Sequence, residues 1–167
     1  MYRVFIVDDE PLVVKSLEKS IHWEELGFEV IGKSYNGIDA YEQILKIRPD
    51  LVFVDIRMPG MTGLELIKKL RDLSINLQFI IISGYAEFAY AQKAINYGVL
   101  GFCLKPFEDD EIINVLKKSK NVLDKSRTLF ETELLALIEE TAGETAEGKE
   151  TEKETELEKE FEGLGLK

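Results

Sequence analysis

The chain has 167 residues, 45% of them hydrophobic and 32% charged, which suits one buried core with an appendage and is too short for two domains of ordinary size. Its net charge of −11 is uneven: residues 1–140 carry 17 Lys and Arg against 23 Asp and Glu, and residues 141–167 carry 4 against 9. That balance repels phosphate backbones and anionic lipid, so neither nucleic acid nor membrane is an expected partner of this chain alone, whereas a cation is.

No apolar run is long enough to span a bilayer, no basic segment precedes an apolar core, and the single Cys103 has no internal disulfide partner. A cytoplasmic, reducing compartment is expected, with Cys103 as a small core residue.

In chain order, Tyr2 to Val7 reads as a first strand. Pro11 suits the first turn of a helix whose apolar stripe is Val13, Leu17 and Ile21. His22, beside Trp23, reads as an exposed or packing residue. Phe28 to Gly32 is a second strand, and Asn36-Gly37 is a turn signal ahead of a helix carrying Ile38, Tyr41, Ile44 and Leu45. Leu51 to Val54 is the third strand. After the Pro59-Gly60 turn, Thr62 with Glu65 three residues later has capping-box spacing for a third helix bearing Leu64, Ile67 and Leu70.

Phe79 to Ile82 is strand four, Phe88, Ala91 and Ile95 mark helix four, Gly101 to Leu104 is strand five, and Ile112, Val115, Leu116 and Ser119 mark helix five. The strands are continuous apolar runs rather than alternating ones, which predicts strands buried on both faces. Strict alternation of strand and helix predicts an α/β fold, a doubly wound five-stranded parallel sheet flanked by five helices.

The pattern breaks after residue 124. Leu129, Phe130, Leu134, Leu137 and Ile138 keep a helical stripe, as a continuation of helix five or a sixth helix, so residues 125–140 read as a helical extension. Residues 141–167, rich in Glu, Thr, Lys and Gly, read as an acidic tail, disordered or a frayed helix.

The chemistry collects at strand ends. "VFIVDDEP" and "LVFVDIRMPGMTG" put Asp8, Asp9 and Asp55 at the carboxyl ends of strands one and three, the edge where open α/β sheets bind ligands. With strand order 2-1-3-4-5 these carboxylates converge, and carboxylates this close call for a cation among them. A hard ion with oxygen ligands, Mg²⁺, suits so few carboxylates. "QFIIISGYAEF" adds the Ser83 hydroxyl and "LGFCLKPF" the Lys105 ammonium on the same edge. Nucleophile, metal cage, donor and cation together make a phosphoryl-handling set. A phosphatase with an Asp nucleophile is the competing reading, although such enzymes carry it on the first strand in a D-x-D pattern.

The strings "VDDEP", "VDIRMPGMTGLEL", "IIISGY" and "CLKPF" resemble the receiver domains of two-component response regulators, over roughly residues 1–124. "IHWEELGFEVIGKSYNG" and "GYAEFAYAQKAINYGVLGFCLKPF" are similar to receivers that precede AraC-type DNA-binding domains. The resemblance implies a flavodoxin-like fold and a phosphoacceptor switch rather than an enzyme with an external substrate. Asp55 would take a phosphoryl group from a sensor histidine kinase. Mg²⁺ would be held by Asp9, Asp55 and the Arg57 carbonyl, with Asp8 acting through water.

Lys105 and Ser83 would contact the phosphoryl oxygens, and Phe102 would be the aromatic switch. Arg57 and Tyr85 would flank the phosphoryl group, and Thr62 stands where the motif more often has Asp. Phosphorylation would reshape the surface of helix four, strand five and helix five and drive homodimerisation through Tyr90, Ala94 and Tyr97. Transcription would be controlled through a domain that follows.

Overall fold

A computed structural model describes residues 1–84 and 88–145. The expectations for Tyr85 and for most of the acidic tail, residues 146–167, lie outside these residues. The chain divides into two compact units, Met1–Asn121 and Val122–Lys167.

The first unit is a five-stranded parallel sheet in the order β2-β1-β3-β4-β5, with β1 Tyr2–Val7, β2 Phe28–Ser34, β3 Leu51–Asp55, β4 Gln78–Ser83 and β5 Gly101–Leu104. Between the strands run α1 Pro11–Ser20, α2 Gly37–Ile47, α3 Gly63–Asp72 and α4 Phe88–Ile95, with one 3-10 turn at Glu24–Leu26. α5 Asp109–Thr145 follows the last strand. The stripe of Leu129 to Ile138 therefore continues the fifth helix. It leaves Leu129, Phe130, Leu134, Leu135, Leu137 and Ile138 exposed.

The alternation of side chains along parallel strands sorts the core into two faces. Phe5, Val7, Val52, Val54, Phe79 and Ile81 share one apolar cluster with Ala40 and Ile44 of α2, Leu66, Ile67 and Leu70 of α3 and Ala94 of α4. The intervening residues, among them Val4, Ile6, Phe53, Ile80 and Ile82, are buried on the other face. There the ring of Trp23 stands edge-on to Phe53, centroids 5.7 Å apart, and its indole N–H donates to Leu17 O at 3.1 Å.

Central β3 is buried at every residue, as its continuous apolar run predicts. The edge strand β2 is not: Glu29 and Lys33 are exposed and Val30 to Gly32 only half-buried, because an edge strand has a neighbour on one side alone.

Local signals set the helix starts. Thr62 Oγ1 accepts from Glu65 N at 3.2 Å and Glu65 Oε2 accepts from Thr62 N at 3.1 Å, the reciprocal cap its spacing predicts. Asn36-Gly37 is a helix start rather than a free turn, since Asn36 Oδ1 accepts from Asp39 N at 2.8 Å. Two predicted stripe residues point outward: Ile38 is 57% and Ile95 69% exposed, and Ala40 and Ala94 take the buried positions.

Two glycines let elements approach closely. A Cβ on Gly63 would lie 2.1 Å from Asp55 O, and one on Gly101 would lie 2.3 Å from Val115 Cγ2, so α3 and α5 seat against the sheet only without a side chain there.

Arg71, at the end of α3, donates from Nε to Tyr97 O at 3.0 Å, from Nη2 to Gly98 O at 3.3 Å and from Nη1 to Leu77 O, with its guanidinium 5.0 Å from the Phe79 ring centre. The residues just past α4 are thereby tied to α3, and burial lowers the Arg71 pKa.

Candidate functional site

β1 and β3 are hydrogen-bonded neighbours, Val7 in register with Val54, so the residues leaving their carboxyl ends are brought together. Carboxylate oxygens of Asp8, Asp9, Glu10 and Asp55 all lie within 4.8 Å of one another. Asp8 is almost fully buried and Asp55 is 5% exposed, whereas Asp9 is half-buried and Glu10 exposed.

Lys105, the first residue after β5, reaches across with its ammonium 2.8 Å from Asp8 Oδ2, 3.1 Å from Asp55 Oδ2 and 3.2 Å from Glu10 Oε1. Its backbone N–H donates to Ser83 O at 2.8 Å, which fixes the root of that side chain to the end of β4.

The electrostatics are unbalanced. Burial raises the Asp8 pKa, and the Lys105 ammonium and the Glu10 backbone N–H, which donates to Asp8 Oδ1 at 2.9 Å, offset this only in part. Burial also pulls the Lys105 pKa down, but Asp8 and Asp55 outweigh it and hold the group above the usual lysine range. Among the described residues, the ion pairs of this edge join the Lys105 ammonium to three of the four carboxylates. Crowded, oxygen-only donors of this kind suit a hard divalent cation, and the residues present fit such an ion.

Other predicted site residues stand around this cluster. Ser83 is fully buried at the end of β4, and the register of β4 with β5 puts it on the same sheet face as half-buried Phe102. Phe102 packs against the core cluster on that face. Arg57 is exposed in the segment after β3. Cys103 is buried and its thiol is pushed up to about 11 by burial, helped by Glu111, which makes it a core residue and not a nucleophile at neutral pH.

One expectation needs correction. Ala94 cannot belong to an association surface, because it is fully buried on the core-facing side of α4. Glu10, which no strand-end pattern singles out, completes the carboxylate cluster and pairs with Lys105. The run Asp8-Asp9-Glu10 was its only sequence signal, since which acid in a run folds back over a strand end depends on the turn into α1.

Residues 4–117 match the family model of the response regulator receiver domain. The transcriptional regulatory protein YesN of Bacillus subtilis is 45% identical over 118 residues, 71% of this chain and 32% of that protein. The chemotaxis protein CheY of Thermotoga maritima is 34% identical over 116 residues, 70% of this chain and 95% of that protein.

Among solved structures, the receiver domain of AraT, a response regulator from Geobacillus stearothermophilus, is 38% identical with a TM-score of 0.72, covering 75% of this chain and 98% of that one. A two-component transcriptional regulator AraC from Clostridium phytofermentans is 33% identical with a TM-score of 0.70, covering 76% and 98%. The chain spans about a third to a half of the length of several regulatory proteins that it matches. Among the described residues no helix is long and apolar enough to cross a membrane. With its sheet order, its strand-end carboxylates and this match, the chain belongs to the receiver-domain family of two-component response regulators.

Proposed function

We propose that Asp55 accepts a phosphoryl group from the phosphohistidine of a sensor histidine kinase in a Mg²⁺-dependent reaction. The observation that carries this reading is Asp55 at the carboxyl end of β3, 5% exposed, among Asp8, Asp9 and Glu10 and ion-paired to Lys105 at 3.1 Å.

The Asp55 carboxylate oxygen attacks phosphorus, a P–O bond forms as the P–N bond to imidazole breaks, and the imidazole departs with its electron pair. A divalent cation held there would supply positive charge that offsets the negative charge of the phosphoryl oxygens. Asp9, the Asp55 carboxylate and the Arg57 carbonyl are the groups that would hold it, with Asp8 acting through water. Lys105, released from part of its contact with Asp55, follows the new phosphoryl oxygens, and the Ser83 hydroxyl donates to one of them. No external substrate is turned over: the chain catalyses only its own phosphorylation and dephosphorylation.

Phosphorylation adds a charge of about −2 and three acceptor oxygens at the sheet edge. Ser83 moves toward them, Phe102 on the same face turns inward, and the surface of α4, β5 and α5 changes. That surface drives homodimerisation and controls an output domain that regulates transcription. Residues 125–140 act as a coupling helix, and the acidic chain by itself does not bind DNA.

Intact-mass measurement after acetyl phosphate and Mg²⁺ tests the core of this reading. One phosphate is expected on the wild type and none on Asp55→Asn, and a variant that still gains it refutes the assignment. Sedimentation with and without a beryllofluoride mimic tests dimerisation, and an unchanged mass counts against it. A gel shift with promoter DNA at low salt tests the absence of DNA binding.

A further inference from the structure

Beside the carboxylate cluster lies a groove of about 390 Å³ between α3 and α4. Its floor is apolar, formed by Ile56 and Leu64, and Tyr90 and Tyr97 line the α4 side. Three cations border it, Arg57, Lys68 and Lys93, all exposed. Among the described residues of the lining Glu65 is the one carboxylate, and it accepts from the Thr62 N–H at 3.1 Å, which leaves three cations against one acid. A locally positive, partly aromatic groove on a chain of net charge −11 is a departure from the rest of the molecule. One end of it is preformed, because Arg71 holds Tyr97 through the 3.0 Å bond to its carbonyl.

We propose that this groove binds a short acidic peptide segment of a partner protein, with an aliphatic or aromatic side chain on the Ile56–Leu64 floor and carboxylates on Lys68 and Lys93. The shape and the charge choose the occupant. Small-molecule sites enclose about 70–90% of the ligand surface, whereas five of the nine residues lining this groove, Arg57, Glu65, Lys68, Tyr90 and Lys93, are exposed. A polyanion as dense as nucleic acid would meet the carboxylates around Asp55, which directly precedes Ile56 in the chain. A peptide with two acids matches Lys68 and Lys93, which stand on α3 and α4 and not next to Asp55 in the chain.

Because Ile56 and Arg57 immediately follow Asp55, a seated peptide also touches the segment that carries the phosphoacceptor. This last consequence rests on the function proposed above; binding itself does not.

The test pans a random heptapeptide phage library on the full chain without phosphodonor, so that it fails or succeeds independently of the phosphoacceptor reading. The leading peptide is then titrated by fluorescence anisotropy. Enriched sequences should combine at least two acids with one large apolar residue. Affinity should fall about tenfold or more in the K68E/K93E double variant and weaken with salt, and should be unchanged in Lys33→Glu, which lies outside the groove.

No enrichment, a neutral or basic consensus, or equal affinity for the double variant would overturn the proposal. So would displacement by free citrate or pyrophosphate at the peptide's own concentration, which would make the occupant a small anion.

Discussion

The two ends of the sheet are built on opposite terms. At the amino end, Arg3 N donates to Asp50 Oδ2 at 2.7 Å, Asp50 N returns a bond to Arg3 O at 2.8 Å, and Gln78 N donates to Asp50 O at 3.1 Å. The Arg3 guanidinium donates to Ile47 O at 2.7 Å and Arg48 O at 3.2 Å, which puts a cation on the carbonyl end of α2. At the carboxyl end, four carboxylates crowd one ammonium, and burial raises the pKa of the most enclosed acid. One end is a set of mutually satisfied caps. The other crowds like charges together, and so tends to trade stability for a site.

The sharpest break of this contrast is Gly63→Ala. Its Cβ would sit 2.1 Å from Asp55 O, so α3 or the end of β3 must shift; we expect a loss of about 3 kcal/mol in urea unfolding and a large drop in acetyl phosphate labelling. A change at the carboxyl end that keeps stability and labelling at wild-type levels would show that this end is not so tightly set.

Asp8→Asn should instead stabilise the metal-free protein by about 1–2 kcal/mol, because it removes a buried charge while Lys105 keeps Asp55 and Glu10 as partners. Millimolar Mg²⁺ should narrow or reverse that gain, since the ion binds the folded wild type more tightly. A destabilised Asp8→Asn without metal would mean that the Lys105 pair outweighs the crowding.

At the amino end the sign is opposite. Asp50→Ala should lose about 1 kcal/mol, with or without Mg²⁺, by removing the acceptor of the Arg3 N–H.

The smallest effect concerns pH. The pairs hold the folded Lys105 pKa above the ordinary value of 10.5, so their stabilisation is fully present below 10.5 and is lost as pH rises through the folded value. Urea midpoints above pH 10.5 should therefore fall more steeply in the wild type than in Lys105→Met.

Most of the sheet and much of the site were legible because their signals are local. Continuous apolar runs marked β3 and β4, the Thr62 to Glu65 spacing marked the start of α3, and acids at strand ends marked the carboxylate cluster. What the sequence hid depends on contacts between distant segments. β2 reads like a central strand, but its place at the sheet edge half-exposes it. Ile95 fits a helical stripe as well as Ala94 does, and only the close approach of α4 to the core selects the smaller residue. The three carbonyls held by Arg71 lie 6, 26 and 27 residues away, and no spacing announces them.

The indole of Trp23 gives the protein an optical reporter of its own. It is the sole tryptophan, nearly enclosed, and set against Phe53 on the sheet face opposite the one that carries Ser83 and Phe102. Its emission should be blue-shifted in the native protein and should move red in step with global unfolding. Rearrangement on the Phe102 side should leave it nearly silent. Unlabelled fluorescence can thus follow folding while a probe on α4 follows switching, and the two signals can be recorded from one sample.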